Sequence, residues 1–174
     1  DLVSIDNQRA GELATSHLIR AGAREIAFLA WHGQATSVEG RIAGYRRALA
    51  HAGHVVQLAA GPFALPATAT RYDAFVCSTD RLAGHLMRAL LSEGKRIPGD
   101  VRIVGIDDVT YASLLPVPLT TIHQPCTEIG EAALVLQRTG AVQHGRREID
   151  TGDVAADLRE RTGQNAWPAG DVQH

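Results

Sequence analysis

Asp107 and Asp108 stand side by side at the end of an apolar run, VRIVGI. Carboxylates in that place can accept hydrogen bonds from ligand hydroxyls or amino groups, or hold Mg2+ as in phosphoryl-transfer sites. They can also do no more than cap a turn and face water. Arg41 lies early in a helical segment. Its planar fork suits polar or anionic ligand groups, and the plainer alternative is a surface pair with Glu39. Phe63, one of only three Phe, is flanked by small residues and Pro. Its ring can stack on a sugar or base, or close the edge of the core. Trp31 and His32 follow a strand-like run and are placed to face a ligand too. His51 and His54 have Gly53 between them and read as surface residues, as do the pairs Arg46-Arg47 and Arg146-Arg147. No HExxH, G-x-S-x-G or P-loop occurs, and nothing in the spacing supports Ser37 as a triad nucleophile.

The elements that must position these residues alternate in period. Asp6 or Asn7 can cap a helix over 8–21, whose apolar face is Leu13, Ala14, His17, Leu18 and Ala21, with Gly22 as the stop. EIAFLA (25–30) has strand length. Thr36 and Glu39 form a capping box for a helix that ends at Gly53. A strand at 55–59 and a loop over 60–72 precede a strand at 73–77. Thr79 or Asp80 caps a helix to about residue 93. A turn at 97–100, a strand at 101–106 and an extended piece at 120–123 come next. Pro125 opens a helix to about 139, and weak strands are expected near 147–150 and 154–159, before a polar tail from 164. Strands apolar throughout, separated by amphipathic helices, predict an α/β fold with a parallel sheet covered on both faces. In such sheets ligands bind at the carboxyl ends of the strands, which singles out the loops at 31–37, 60–63, 78–80 and 107–110.

Composition narrows the function classes. The chain has 174 residues, 45 % hydrophobic and 21 % charged, with net charge −2, so it reads as a folded domain and not a disordered segment. No apolar run approaches the ~18 residues of a membrane span. Cys77 and Cys126 cannot build a disulfide scaffold or a Cys-rich zinc site, and they are compatible with a reducing cytosol. The charge balance gives no electrostatic reason for these residues to hold nucleic acid on their own. The chain starts at Asp1 with neither an initiator Met nor a signal segment, so a trimmed or partial chain is expected.

Five segments in register carry a family resemblance. They are VSIDNQRAGELATSHLIRAGAREIAFLA, TSVEGRIAGYRRALAHAG, STDRLAGHLMRALLSEGKRIPGDVRIVGIDD, PLTTIHQPCTEIGEAALVL and LRERTG. Together they resemble the effector-binding core of the LacI/GalR transcription regulators, the lac repressor-like proteins. The resemblance implies a periplasmic-binding-protein-like fold of two parallel-sheet subdomains with a ligand cleft between them. By that analogy 1–21 and 122–140 belong to an incomplete N-terminal subdomain, 22–121 and 141–163 to the C-terminal subdomain, and 164–174 to a tail. The helices at 8–21 and 125–139 would then pack together, bringing Leu18 near Leu134. Effector contacts are implied at Asp6, Arg41, Phe63, Thr79, Asp107 and Cys126. Where the family usually has Asn-Asp, this chain has Thr79-Asp80, so one hydroxyl replaces an amide. Cys126 stands where many relatives carry a larger side chain, which would open that wall. The stretch between Phe63 and Asp73 is short for the helix usually found there.

The function implied is effector sensing by a cytoplasmic repressor. A sugar or sugar derivative, ahead of a nucleobase, would bind without catalysis, cofactor or metal. In the intact homodimer that binding would alter operator affinity through an N-terminal DNA-binding headpiece absent from this chain. The rivals are a sugar-binding protein of an uptake system with the same fold, and an enzyme using Asp107-Asp108 with a metal. Arg41→Ala would be expected to weaken ligand binding with little effect on folding.

Overall fold

The computed structural model describes residues 5–33, 36–51, 53–59, 62–138 and 157–159. The elements are α1 (Asn7–Arg20), β1 (Ile26–Trp31), α2 (Thr36–Leu49), β2 (His54–Leu58), β3 (Ala74–Cys77), α3 (Asp80–Ser92), β4 (Arg102–Asp107), β5 (Thr120–His123), α4 (Cys126–Arg138) and β6 (Asp157–Arg159). Single 3-10 segments, Ala67–Arg71 and Thr110–Leu114, lie before β3 and after β4. One six-stranded sheet runs in the order β2-β1-β3-β4-β5-β6. Neighbours are parallel from β2 to β5, and β6 closes the edge antiparallel. The sheet expected from the apolar strands is therefore present, with one antiparallel strand added.

Both faces of that sheet are covered, which is why its strands alternate between two cores. Ala27, Leu29, Val56, Leu58, Phe75, Cys77 and Ile103 pack with Leu82, Ala83, Leu86, Met87 and Leu90 of α3. Ile26, Phe28, Ala30, Ala74, Val76, Val104, Ile106 and Ile122 face the other way, onto Ala10, Ala14 and Leu18 of α1 and Val38 and Tyr45 of α2. Because β1 to β5 are parallel, their carboxyl ends lie along one edge. Trp31, Leu58, Cys77, Asp107 and His123 are the last residues of those strands.

α1 and α2 cross at very short range. A Cβ on Gly11 would strike the Arg41 carbonyl oxygen, and one on Gly44 would strike the carbonyl oxygen of Gln8. Glycine at both places lets the backbones touch. The crossing brings Asn7, at the start of α1, beside α2; a Cβ on Gly40 would lie 3.0 Å from the Asn7 Cβ.

The first helix is thus placed differently from the expected division at residue 21. α1 lies on α2 and on this sheet, with Leu18 fully buried in the second core, while Leu134 of α4 is 57 % exposed. Helical period shows that α1 has an apolar face but not which partner covers it, and the glycine-lined crossing selects α2. Smaller differences follow. Thr36 is already helical, and 34–35 lie outside the described residues. The stretch read as loop contains the 3-10 segment Ala67–Arg71. The expected strand at 147–150 and the tail lie outside the described residues, and β6 covers only Asp157–Arg159 of the expected 154–159.

Gly44→Ala should lower stability by roughly 2 kcal/mol or more, since the added methyl meets backbone and not a yielding side chain. Gly130→Ala, on α4 with nothing within 4 Å of the new methyl, should cost nothing. Urea unfolding of the two variants checks this, and equal losses would contradict a tight crossing.

Candidate functional site

Arg41 is only 5 % exposed, although it is charged and sits on a helix. Its guanidinium is held on every nitrogen. Nε donates to Asn7 Oδ1 at 2.9 Å, one terminal nitrogen to the Ser78 carbonyl at 2.5 Å, and the other to Gln124 Oε1 at 3.0 Å. That last nitrogen also lies 3.5 Å from Asp107 Oδ1. Four separate stretches of chain meet there: the start of α1, the β3–α3 turn, the end of β4 and the β5–α4 turn. Asn7 is itself oriented by its amide nitrogen, which donates to the Ile5 carbonyl at 3.1 Å. The surface pair with Glu39 is not what forms. Since Arg41 is a buried connector, Arg41→Ala must also weaken the fold, contrary to the expectation that folding would be spared.

Asp107 ends β4 with φ 138°, and Asp108 follows with φ 57°. Burial pushes the Asp107 carboxyl up to about 6; the Arg41 charge opposes this, and the nearby Asp80 adds to it. Burial likewise lowers Arg41 from its ordinary value, with Asp107 the main opposing influence. Asp108 turns to a different partner, His123, whose Nδ1 is 2.9 Å from Asp108 Oδ2. The two carboxylates therefore have separate counterparts and do not converge as metal ligands. Among the described residues no group of three or more His, Cys, Asp or Glu is arranged to hold a metal ion.

The other expected site residues divide into two groups. Asp6 is exposed and caps α1, accepting from the Arg9 amide at 2.8 Å, one residue before the Asn7 that holds Arg41. Thr79 caps α3, accepting from the Leu82 amide at 3.2 Å, next to the Ser78 carbonyl used by Arg41. Its hydroxyl hydrogen is not needed for the cap. Cys126 is exposed at the head of α4, with its sulfur 4.0 Å from Gln124 Nε2. Each of the three lies within two residues of a group that holds Arg41: Asn7, Ser78 or Gln124. Phe63 sits in a separate aromatic group, stacked on His85 with centroids 5.7 Å apart and meeting Trp31 edge-on at 6.3 Å. It also packs against the first core, so it closes the edge of that core. His32 is exposed and bonded to Gln57, and His51 accepts from the Gly53 amide, both local roles. Sequence reasoning missed Asn7, Gln124 and Asp80. Asn7 and Asp80 read as candidate helix caps, and Gln124 carries no signal of its own between an extended piece and Pro125.

Comparison with known proteins gives this arrangement a family. The model of the periplasmic binding protein-like domain matches residues 15–161. The chain belongs to that family. The repressor PurR of Vibrio campbellii, an HTH-type transcriptional repressor, is 35 % identical over 162 residues, covering 84 % of this chain and 48 % of its own length. The chain spans about half the length of the curated relatives it matches. Among solved structures, the transcriptional regulator CelR in complex with cellobiose superposes with TM-score 0.75 at 31 % identity, over 91 % of this chain and 52 % of that one. A LacI family transcriptional regulator from Enterococcus faecium with bound ribose gives TM-score 0.72 at 27 % identity, over 93 % and 64 %. The resemblance to LacI/GalR regulators and the periplasmic-binding-protein-like α/β fold are both borne out.

The raised Asp107 carboxyl sets a sign for stability against pH. The folded chain holds this proton more tightly than the unfolded chain does. Its contribution is therefore fully present below about pH 4 and is lost as pH rises through about 6. Relative to Asp107→Asn, the wild type should lose stability between pH 4 and 7, by at most ~3 kcal/mol and less where solvent screens the partly exposed carboxylate. Urea titrations of both proteins at several pH values read this directly. A difference that grew with pH would mean that the ion pair with Arg41 outweighs burial.

Proposed function

We propose that this chain is the effector-sensing part of a LacI-type DNA-binding transcription regulator and that it binds a small polyhydroxylated ligand, a sugar or sugar derivative, without catalysis. The observation that carries the reading is the Arg41–Asp107 pair at the carboxyl edge of the sheet. A guanidinium donor beside a carboxylate acceptor matches adjacent hydroxyls, each of which can accept from one and donate to the other. Thr79, Asp6 and Cys126 border that pair, and Phe63 offers an apolar face to the ring of such a ligand. In the intact protein, a cytoplasmic homodimer, ligand binding favours one arrangement of the subdomains, with α4 leading into the second one. Operator affinity changes only because the ligand binds the two arrangements unequally. The relatives are named as regulators, which supports this reading over an uptake protein. A nucleobase is the second ligand class.

The test is titration calorimetry on the natural protein that contains residues 1–174, against pentoses, hexoses, cellobiose and purines. Asp107→Asn should weaken the binding ligand roughly 10- to 100-fold, the equivalent of ~1.5–3 kcal/mol for a hydrogen bond to a charged group. Affinity of the wild type should fall as pH drops below about 6, where Asp107 gains its proton and loses the charge that strengthens its bond to a ligand hydroxyl. Fluorescence anisotropy on operator duplex should show affinity changing with that ligand. Unchanged affinity in Asp107→Asn, with the fold intact by circular dichroism, places the site elsewhere.

A further inference from the structure

Asp80 is fully buried at the first position of α3, yet it belongs to neither hydrophobic core, and its charge acts on Arg41 more weakly than that of Asp107. Its two oxygens reach two different pieces of chain. Oδ1 accepts from Thr121 Oγ1 of β5 at 2.5 Å, and Oδ2 accepts from the Val109 amide, just beyond β4, at 3.0 Å. The Thr121 hydroxyl, itself fully buried, uses a lone pair to accept from the Asp108 amide at 3.3 Å. Gly105 stands opposite Thr121 in the β4–β5 register, and a Cβ there would strike Asp80 Oδ1. The carboxylate thus lies over bare β4 backbone, reaching β5 on one side and the residues after β4 on the other.

What this clasp encloses is the turn that carries the site. Asp107 and Asp108 both have positive φ, 138° and 57°, a combination that non-glycine residues seldom adopt without support. The amides of the next two links in the chain, Asp108 and Val109, are the ones bound by Thr121 and Asp80. Burial raises the Asp80 carboxyl, and the Thr121 and Val109 bonds are the main influences opposing that rise, so the folded state invests these bonds in keeping a carboxylate where it is costly.

We infer that Asp80, acting with Thr121, is a positioning residue of the site: through the Asp108 and Val109 amides it holds the turn after β4 that places the Asp107 carboxylate beside Arg41. The functional weight of this inference rests on the reading of Asp107 as a ligand contact, but the geometry is testable with no ligand at all.

The experiment compares Thr121→Val, which keeps shape and removes the hydroxyl, with Thr121→Ser, which keeps the hydroxyl. Carboxyl NMR follows the titration of Asp107, whose charged surroundings are Arg41, Asp80 and the Asp108–His123 pair. Amide hydrogen exchange follows Val109. In Thr121→Val the Asp107 midpoint should fall from about 6 towards the ordinary ~4, because the loosened turn lets water reach the carboxylate. Exchange at Val109 should quicken about tenfold or more while the amides of β1 and β3 keep their protection. Thr121→Ser should restore both readings. A lower melting temperature with the Asp107 midpoint and Val109 exchange unchanged would reduce Asp80 and Thr121 to core packing and overturn the inference. If Thr121→Val does not fold, Asp80→Asn replaces it: faster Val109 exchange supports the clasp, and wild-type exchange overturns it. A protein that binds no sugar or purine, yet shows these shifts, would remove the proposed function and leave the positioning role standing.

Discussion

A guanidinium cannot be taken out of water without acceptors, and Arg41 is almost wholly out of water. An isolated buried cation costs several kcal/mol, and losing one acceptor while the charge stays buried costs more than the bond itself contributes. The chain meets this constraint by bringing acceptors from Asn7, Ser78, Asp107 and Gln124, residues spread from the first helix to the fourth. None of those acceptors comes from the helix that carries Arg41. Satisfying one side chain therefore fixes where α1 begins, how β3 passes into α3, where β4 stops and how β5 passes into α4. The close α1–α2 crossing follows from the same demand. Asn7 reaches Nε only if the two backbones approach at Gly11 and Gly44, which explains glycines inside two helices where alanine would have favoured helix formation.

That constraint also marks the boundary of what the residues disclosed unaided. Strands that must be buried on both faces are written as unbroken apolar runs, so EIAFLA, DAFVC and VRIVGI were legible, and the end of α1 at Gly22 was legible from the left-handed backbone that position needs; α2 instead stops at Leu49, short of the expected Gly53, and Ala50 takes the left-handed backbone. Arg41 and Asp107 stood out as chemical groups at the right ends of elements. Their surroundings did not, because each partner has a second, local explanation. Asn7 beside Asp6 looks like a cap, and Gln124 before Pro125 looks like a turn. Asp80 at the start of a helix looks like a favourable charge on the helix dipole, an effect that is real but does not predict full burial. Long-range hydrogen bonds leave no period in the sequence. The partner of α1 is hidden for the same reason: periodicity reports that a face is apolar, not which surface covers it.

The electrostatics around Arg41 narrow what the site can accept. Three carboxylates lie on the β4 side, Asp80, Asp107 and Asp108, against one guanidinium and the imidazole of His123. Asp108 is taken up by His123, and Asp80 is committed to Thr121 and Val109. An anionic ligand drawn to Arg41 would have to approach Asp107 with Asp80 behind it, and would displace an existing pairing while adding repulsion. A cationic ligand drawn to Asp107 would meet Arg41 at the same short range. A neutral molecule with donors and acceptors on neighbouring atoms meets neither penalty, because it can insert between the two charges and bond to both.

Such an insertion need not break the pair. Arg41 and Asp107 are 3.5 Å apart, beyond the usual length of a charge-assisted hydrogen bond, so the contact is electrostatic and imperfect as it stands. A hydroxyl that donates to Asp107 and accepts from Arg41 would replace one long contact with two of ordinary length, in a setting of reduced dielectric where each is strengthened. The remaining acceptors on Asn7, Ser78 and Gln124 would keep the guanidinium in its plane while this happens. Rigidity on three sides and slack on the fourth is what a recognition group needs. The held sides limit the ordering cost of binding, and the loose contact leaves free energy to be gained when the ligand arrives. The turn that sets the slack is the one with two successive aspartates at positive φ, so the geometry of the Arg41–Asp107 pair depends as much on the buried groups clamping that turn as on the two charges themselves.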